Sequence, residues 1–367
     1  MLNSTLIKWL SRDVPDKSSA QSARKNVSLF TDIGLIRSQN QDRVACLQID
    51  ATTPSESSFM AIAVSDGMGG MKDGAECATR TIASFFSALA KHRHRPEIER
   101  LRISTIEANE SVYRFSNGAG GATLSALLIT DKFGTFSVNI GDSRIYAETL
   151  AEPKELHRIT RDDSLAEAVG GHGRELLQFI GMGPGIQPHI NFVSDVYDRF
   201  LLTTDGIHFV ENEMLSSIFI NATDINQAAN RLSTLARWLG AHDNASGAVV
   251  SLQNARKSLS PKNEHLVKIL DPFSELYISS VSNERNREQA RAPLIATPTP
   301  STSVETDTAD NATADKDTKK PNTRIRRSRP KTKTPKRTSE IESETQDLQI
   351  VIEMDTEHKD GADDPIK

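Results

Sequence analysis

The sequence predicts an α+β fold in which antiparallel β-sheets carry pairs of helices on their outer faces. Two observations lead to this prediction. Short segments rich in Val, Ile, Phe and Thr follow one another in adjacent pairs, and so do segments with helical spacing of apolar residues. Parallel sheets would instead need a crossover helix between consecutive strands. The order of the segments therefore favours antiparallel pairing.

Seven segments before Leu252 are predicted to be strands, because each is short, rich in β-branched or aromatic residues and bounded by Gly or Asp. They are VSLFTDIG, FMAIAV, TLSALLI, TFSVNIG, RIYAETL, RFLLTTDG and ASGAVVSL. Between them, apolar residues recur at intervals of three and four. This spacing predicts helices over residues 75–89, 98–115, 211–220 and 224–239.

The unbroken apolar run FMAIAV (residues 59–64) indicates a strand that is buried on both faces. It delivers Asp66 into a turn that contains Gly67 and Gly74. Glycines let the backbone approach a ligand closely. The stretch is therefore either a ligand site or an ordinary strand-to-helix turn.

The composition is that of a globular protein. The 367 residues suffice for one large core with appendages or for two domains, and the net charge of −5 indicates no class of partner by itself. Cys46 and Cys77 lie in or beside apolar runs, which predicts buried free thiols in a reducing compartment. No window approaches the ~18 apolar residues of a membrane span, and the N-terminal apolar stretch is too short for a signal peptide. These features predict a cytoplasmic protein.

The chain is predicted to loosen at both ends. We expect an N-terminal extension over residues 1–26, a short helical extension over residues 256–282 that ends near Asp271-Pro272, and a disordered tail over residues 283–367. In the tail, residues 319–337 are basic, and residues 340–364 are mostly acidic around the apolar patch LQIVIEM. The basic segment either binds an anionic partner such as nucleic acid or stays solvated beside its acidic neighbour. The apolar patch could add a strand to a partner's sheet.

Five aspartates stand at the ends of predicted strands, next to Gly or Asn: Asp42, Asp66, Asp142, Asp205 and Asp243. Each alone could be a turn or capping residue. The strands of a sheet sandwich can bring their ends to one rim, where these carboxylates would repel one another unless a cation neutralised them.

The chemistry of this set favours a hard cation. Oxygen ligands without His or Cys suit Mg²⁺ or Mn²⁺, and two such ions about 3.5–4 Å apart suit displacement at phosphorus. The carbonyl of Gly67 could reach the ion that Asp66 binds. Arg37 offers the planar fork that fits a phosphate.

Six motifs in this order resemble those of the metal-dependent protein phosphatases of the PPM type, the type 2C family, in its bacterial form. They are TDIGLIRSQNQDR, VSDGMGGMKDGAECA, GATLSALLI, NIGDSRIY, LLTTDGI and GAHDNASGAVV. The resemblance spans roughly residues 28–252 and assigns residues 27–255 to a phosphatase domain. It implies a four-layer αββα sandwich, in which two antiparallel β-sheets lie between helix pairs and a two-metal site lies at one rim.

The resemblance also implies the metal ligands. Asp66 would bridge two Mn²⁺ or Mg²⁺ ions. Asp205 and Asp243 would complete one ion, and the Gly67 carbonyl with waters would complete the other. Asp142 would help to bind a third, weaker ion.

The remaining implied roles concern water and phosphate. Asp42 would hold metal-bound water, Arg37 would bind the phosphate, and Asn244 would support Asp243 from the second shell of the site. The family usually has Glu where this chain has Gln41, in the same supporting shell. We expect the lost charge to weaken metal binding without abolishing it.

The implied activity is hydrolysis of phosphoserine and phosphothreonine in proteins by metal-activated water, without a phosphoenzyme. Such an enzyme would act on phosphoprotein substrates in signalling and would oppose a Ser/Thr kinase. The alternative is a weakly active pseudophosphatase that binds phosphoproteins or acts as a scaffold through its charged tail. Gln41 supports this alternative, whereas Asp66, Asp205 and Asp243 favour the enzyme.

Overall fold

The structure is a computed structural model that describes residues 1–12, 19–51, 56–68, 70–71, 73–171, 173, 175–259, 266–280 and 348–353. The chain divides into two compact units, and every described residue lies in the unit formed by Met1–Ser280 and Leu348–Lys367. The helices described are α1 (Leu2–Leu10), α2 (Gly74–Lys91), α3 (Glu97–Ser116), α4 (Leu165–Val169), α5 (Asp205–His208), α6 (Asn212–Ile220), α7 (Ile225–Trp238) and α8 (Leu252–Ser258). The strands are β1 (Ser19–Ala23), β2 (Val27–Asp32), β3 (Arg43–Ile49), β4 (Phe59–Ser65), β5 (Leu124–Thr130), β6 (Thr135–Ile140), β7 (Arg144–Thr149), β8 (Leu156–Arg158), β9 (His189–Val193), β10 (Tyr197–Thr203), β11 (Ala245–Ser251), β12 (Leu266–Leu270), β13 (Glu275–Ser280) and β14 (Leu348–Glu353).

These strands form two sheets. Sheet A has the order β1-β2-β11-β10-β7-β8, and sheet B has the order β14-β13-β12-β3-β4-β5-β6-β9. Every pairing among these strands is antiparallel. The predicted antiparallel pairing is therefore confirmed.

Three apolar clusters separate four layers. The first lies between sheet B and helices α1–α3 and includes Phe59 and Phe86. The second lies between the two sheets and includes Met60 and Leu202. The third lies between sheet A and helices α5–α7 and includes Leu232. The layers are therefore helices, sheet B, sheet A and helices, as the αββα prediction requires.

Strand β4 accounts for the unbroken apolar run in the sequence. All seven of its residues are buried, because successive side chains of a strand point to opposite faces and both faces of sheet B are covered. Its residues that face the helices are Phe59, Ala61 and Ala63, and those that face the other sheet are Met60, Ile62 and Val64. The prediction of a strand buried on both faces is confirmed.

The predicted pair of late helices is present almost to the residue. Helix α6 covers Asn212–Ile220, and α7 covers Ile225–Trp238. Asp224 caps the second helix, because its Oδ1 accepts hydrogen bonds from the backbone N–H of Asn226 at 2.8 Å and of Gln227 at 2.9 Å.

Residues 1–26, predicted to be an extension, contribute to one outer helical layer and to sheet A. Helix α1 buries Leu6, Trp9 and Leu10 in the cluster under sheet B, and β1 pairs with β2 along the edge of sheet A. The side chain of Arg12 then binds Asp271 at 2.5 and 2.9 Å. The boundary predicted at residue 27 therefore cuts through the packed domain.

The short helix predicted within residues 256–282 is wrong for most of that segment. After helix α8, strands β12 and β13 form a hairpin, and β12 pairs with β3 in sheet B. The Asp-Pro pair is a turn rather than a helix end, because Asp271 Oδ1 accepts hydrogen bonds from the N–H groups of Phe273 and Ser274, each at 2.9 Å.

The disordered tail predicted over residues 283–367 contains one described segment. Residues 348–353, inside the LQIVIEM patch, form β14, which pairs with β13 of the same chain rather than with a partner's sheet. The β-branched residues Ile350, Val351 and Ile352 favour this extended conformation, so the prediction of disorder is wrong there. The rest of the tail, including the basic segment 319–337, lies outside the described residues.

Both cysteines are buried free thiols, as predicted. Burial raises the pKa of the Cys46 thiol to about 12 and that of the Cys77 thiol to about 11. No helix in the described part of the chain is long and apolar enough to cross a bilayer.

Candidate metal centre

The ends of five strands place the five predicted aspartates around one region. Asp66 and Asp142 follow β4 and β6 of sheet B, and Asp42 directly precedes β3. Asp205 follows β10 of sheet A and begins α5, and Asp243 precedes β11. The carboxylates thus come from both sheets of the sandwich.

These carboxylates lie close enough to perturb one another. Burial raises the pKa of Asp66 well above its ordinary value, and the negative charges of Asp42, Asp205, Asp142 and Asp243 raise it further. Burial likewise raises the pKa of Asp42 to about 7, with added repulsion from Asp205 and Asp243. The pKa of Asp142 is about 7, raised first by burial and then by Asp205. The structure therefore brings together the residues that the sequence singled out.

The carboxylates are not arranged as a finished metal site. Among the residues that the structure describes, no three His, Cys, Asp or Glu side chains are grouped so that they could hold an ion. The carboxylate of Asp243 faces a cation of the protein instead, because its Oδ2 accepts a hydrogen bond from Arg37 Nη2 at 2.6 Å. This contact raises the pKa of the Arg37 guanidinium. Arg37, which is predicted to bind phosphate, and Asp243, which is predicted to bind a metal ion, thus neutralise each other's charge in this structure.

The donor set nevertheless fits a hard divalent cation by its chemistry. It consists of carboxylate oxygens together with the predicted carbonyl oxygen of Gly67, which directly follows Asp66 in the chain. The mutual repulsion that raises the pKa of Asp66 is the interaction that a cation would relieve.

Gly67 holds the backbone after β4 against the segment that carries Asp42. A Cβ at this position would collide with the carbonyl oxygen of Gly74 and would come within 2.7 Å of the carbonyl oxygen of Gln41. The Thr123 N–H also donates to the carbonyl of Asp66 at 2.9 Å. Gly67 is therefore needed for close packing of the backbone, and the approach of its carbonyl to a cation stays a prediction.

Gly34 holds the Arg37 segment against the Asp243 segment. Its φ of +82° lies in the left-handed region, and a Cβ there would collide with the carbonyl oxygen of Asp243. The next residue, Leu35, donates its N–H to the carbonyl of Ala241 at 3.0 Å. Two loops that are more than 200 residues apart in sequence are thereby joined.

Asn244 ties the same two segments together with its side chain. Its Oδ1 accepts a hydrogen bond from the Gln41 N–H at 2.8 Å, and its Nδ2 donates to the carbonyls of Ile33 at 2.9 Å and Gln39 at 3.1 Å. The Asn244 N–H also donates to Asp243 Oδ1 at 2.8 Å. The predicted supporting residue thus fixes the backbone of the entire Arg37 loop as well as Asp243.

Asp42 is held from the opposite sheet. It is only 3% exposed, and its Oδ2 accepts a hydrogen bond from Thr204 Oγ1 at 2.8 Å. Thr204 immediately precedes Asp205 in the chain. The hydrogen bond therefore connects Asp42 to the segment that carries Asp205, another predicted site residue.

A polar cluster that was not predicted from the sequence supports Asp142. Asp163 Oδ2 accepts a hydrogen bond from the Gly141 N–H at 3.0 Å, which fixes the turn before Asp142. Next to it, Arg144 Nη2 donates to Asp162 Oδ2 at 2.7 Å. The adjacent acids in RDDSL were a signal for this cluster, but they stand ahead of a helix rather than at the end of an apolar strand.

Known proteins are similar to this chain over about three fifths of its length. The family described as Protein phosphatase 2C matches residues 37–240. Protein phosphatase PhpP of Streptococcus pneumoniae is 27% identical over 253 residues, which cover 62% of this chain and 97% of PhpP. The crystal structure of the PPM Ser-Thr phosphatase MsPP from Mycobacterium smegmatis in complex with cacodylate has a TM-score of 0.50 at 23% identity, and the match covers 64% of this chain and 98% of MsPP. Serine/threonine phosphatase Stp1 from Staphylococcus aureus has a TM-score of 0.51 at 19% identity and covers 65% of this chain and 99% of Stp1.

The family match spans more than half of the chain and includes most of the six motifs. The solved structures have the same fold over nearly their entire length. The predicted family, fold and enzyme class are confirmed. The chain belongs to the protein phosphatase 2C family.

Proposed function

We propose that this chain hydrolyses phosphoserine and phosphothreonine in proteins with the help of two Mn²⁺ or Mg²⁺ ions. The observation that carries the proposal is the group of five aspartates beside Arg37, in which burial and then the charges of Asp42, Asp205, Asp142 and Asp243 raise the pKa of Asp66. A protein has little structural reason to collect five partly or fully buried carboxylates, because each one destabilises the others in the absence of a cation. Membership of a protein phosphatase family supports the same activity.

The ions, when bound, would lower the pKa of water and neutralise charge on the phosphate. Asp66 would lie between the two ions, Asp205 and Asp243 would serve one of them, and the Gly67 carbonyl would serve the other. Asp142, held by the turn that Asp163 fixes, would contribute to a third and weaker site.

Asp42 would orient the attacking water. Its carboxylate is fixed by the hydrogen bond from Thr204 Oγ1, which gives it a defined orientation. Because water attacks phosphorus directly in this proposal, no side chain becomes phosphorylated, and the two buried cysteines take no part.

Arg37 would bind the phosphate. Its side chain is 44% exposed, so it is free to turn from Asp243 towards a ligand in solution. A phosphate offers the guanidinium the same kind of charged acceptor that Asp243 offers here. Phosphate binding and release of Asp243 for metal binding would therefore accompany each other.

The deciding experiment measures phosphate release from a phosphothreonine peptide in Mn²⁺, with and without chelator. We expect turnover in Mn²⁺ and none in chelator, and we expect Asp66→Asn and Asp243→Asn to abolish turnover in folded protein. The absence of turnover at saturating Mn²⁺ would instead favour the weakly active scaffold that Gln41 suggests. Retained turnover in both variants would show that the ions are wrongly placed.

The cellular setting is also a proposal. A phosphatase of this type would oppose a Ser/Thr kinase, and the buried free thiols support a cytoplasmic, reducing environment. The basic segment 319–337 would bind an anionic partner, for which the support is its charge in the sequence.

A further inference from the structure

Two segments beside the proposed catalytic centre expose large apolar side chains. Leu35 and Ile36 are 63% and 66% exposed and immediately precede Arg37. Trp238 and Leu239 are 86% and 41% exposed and stand at the end of α7, a few residues before Asp243. Single exposed apolar residues are common on protein surfaces, but groups of them mark binding sites. These four residues are called the apolar patch below.

The two segments of the apolar patch are joined by backbone contacts. The Leu35 N–H donates to the carbonyl of Ala241 at 3.0 Å, and the Ala241 N–H returns to the carbonyl of Ala236 in α7 at 2.9 Å. Nearby, Arg237 Nε lies 3.2 Å from Asp32 Oδ2 at the end of β2. The patch is therefore built on a backbone that is fixed before any ligand arrives.

The same segments carry the proposed phosphate site. Ile36 is one residue from Arg37, and consecutive Cα atoms are about 3.8 Å apart. An extended peptide advances about 3.3 Å per residue. A substrate whose phosphate is bound at Arg37 would consequently place side chains one to four residues away over Leu35 and Ile36 and towards Trp238.

A groove continues from the patch along the edge of sheet A. It has a volume of about 450 Å³ and lies beside Trp238, where Gln21 of the edge strand β1 and Thr234 and Arg237 of α7 line it. The groove provides room for an extended chain beside Trp238.

We propose that the apolar patch binds large aliphatic or aromatic side chains that flank the phosphorylated residue of the protein substrate. This inference rests on the proposed function and names its substrate class. The occupant is the substrate rather than a second copy of the chain, because the patch is continuous with Arg37 and because a docked copy would cover the phosphate site. The preferred substrate therefore carries apolar residues within about four positions of its phosphoserine or phosphothreonine.

The test compares two phosphothreonine peptides that differ only at the positions flanking the phosphothreonine. The apolar peptide has Leu and Phe at these positions, and the polar peptide has Ser at both. We expect the full chain in Mn²⁺ to prefer the apolar peptide about tenfold in kcat/KM, mostly through KM, which corresponds to burial of part of one large side chain. The double variant Leu35→Ser/Ile36→Ser and the variant Trp238→Ser should lose most of this preference. Both should hydrolyse the small substrate p-nitrophenyl phosphate within about twofold of the unaltered chain, because that substrate cannot reach the patch.

A matched control separates the patch from exposed apolar residues in general. Ile98, on α3 at the other face of the sandwich, is 48% exposed, and Ile98→Ser should keep the full preference. Equal preference in the patch variants and the unaltered chain would overturn the proposal. So would concentration-dependent dimerisation that the patch variants abolish, because it would assign the patch to a second copy.

Binding in chelator keeps this proposal distinct from the proposed function. Fluorescence anisotropy of the two labelled peptides with the Asp66→Asn variant measures binding without turnover, and the apolar peptide should bind about tenfold more tightly. If the unaltered chain released no phosphate from either phosphothreonine peptide in Mn²⁺, the proposed function would fall. If the two peptides bound equally, the patch proposal would fall whatever the activity.

Discussion

Replacement of Asp42 by Asn should stabilise the metal-free protein at alkaline pH. Asp42 is buried and receives a hydrogen bond from Thr204 Oγ1, and an asparagine keeps an oxygen that can accept this bond. The substitution therefore removes one negative charge from the carboxylate group with little change in shape. Asp205 and Asp243 no longer repel that charge.

The expected change in the free energy of unfolding follows from the raised pKa of Asp42. Burial raises the pKa of Asp42 from 3.8 to about 7 in the folded protein, and one pKa unit corresponds to about 1.4 kcal/mol. Because the folded state binds the proton more tightly, this group's contribution is fully present below pH 3.8 and is lost as the pH rises through 7. Between pH 5 and pH 8, ionisation of Asp42 lowers the free energy of unfolding of the unaltered chain by about 2–3 kcal/mol. Asp42→Asn cannot ionise at this position and should not show this decrease.

The assay is urea unfolding of both proteins in chelator at pH 5 and pH 8. Asp42→Asn should gain about 2–3 kcal/mol over the unaltered chain between the two pH values. Asp195→Asn is the control, because the Asp195 side chain is 67% exposed and its pairing with Arg256 contributes little. If the curves for Asp42→Asn and the unaltered chain shifted in parallel, the carboxylates would not be coupled through burial and repulsion as described.

Three further predictions test other parts of the account. Arg37→Ala should lower kcat/KM for a phosphothreonine peptide about 10- to 100-fold, because a charge-assisted phosphate contact is worth about 1.5–3 kcal/mol. Steady-state kinetics would measure this loss, and an unchanged kcat/KM would show that Arg37 does not bind the phosphate. Leu6→Ala should lower the free energy of unfolding in urea by about 2–5 kcal/mol, because Leu6 is buried in the cluster under sheet B. Lys8 is exposed, so Lys8→Ala should have little effect. Equal effects of the two substitutions would place α1 outside the core. Removal of residues 283–367 should leave kcat for the peptide unchanged, and a large loss would make the tail part of the catalytic unit.

Much of the fold was predictable between residues 27 and 252, because two sheets covered on both faces produce continuous apolar strands. The structure at the two ends of the domain was not predictable from the sequence. Asp271-Pro272 signals a helix end and a hairpin turn equally well, and only pairing of β12 with β3 distinguishes them. Leu6, Trp9 and Leu10 have helical spacing, but their packing under sheet B depends on helices far along the chain.

The candidate site was predictable in its residues but not in its contacts. Aspartates at strand ends indicated the rim, because antiparallel sheets bring such ends together. The pairing of Arg37 with Asp243 and the three backbone bonds of Asn244 join positions about 200 residues apart, and no local pattern encodes them. Asp163 was missed because it supports Asp142 from a neighbouring loop rather than from a strand end.

The most direct test of the two-ion centre is a calorimetric titration of Mn²⁺ into the metal-free full chain and into its Asp66→Asn variant, with Asp195→Asn as the exposed control. The account predicts two ions per molecule for the unaltered chain and for the control, and loss of tight binding in Asp66→Asn. Binding of Mn²⁺ to Asp66→Asn with unchanged affinity and number would contradict it.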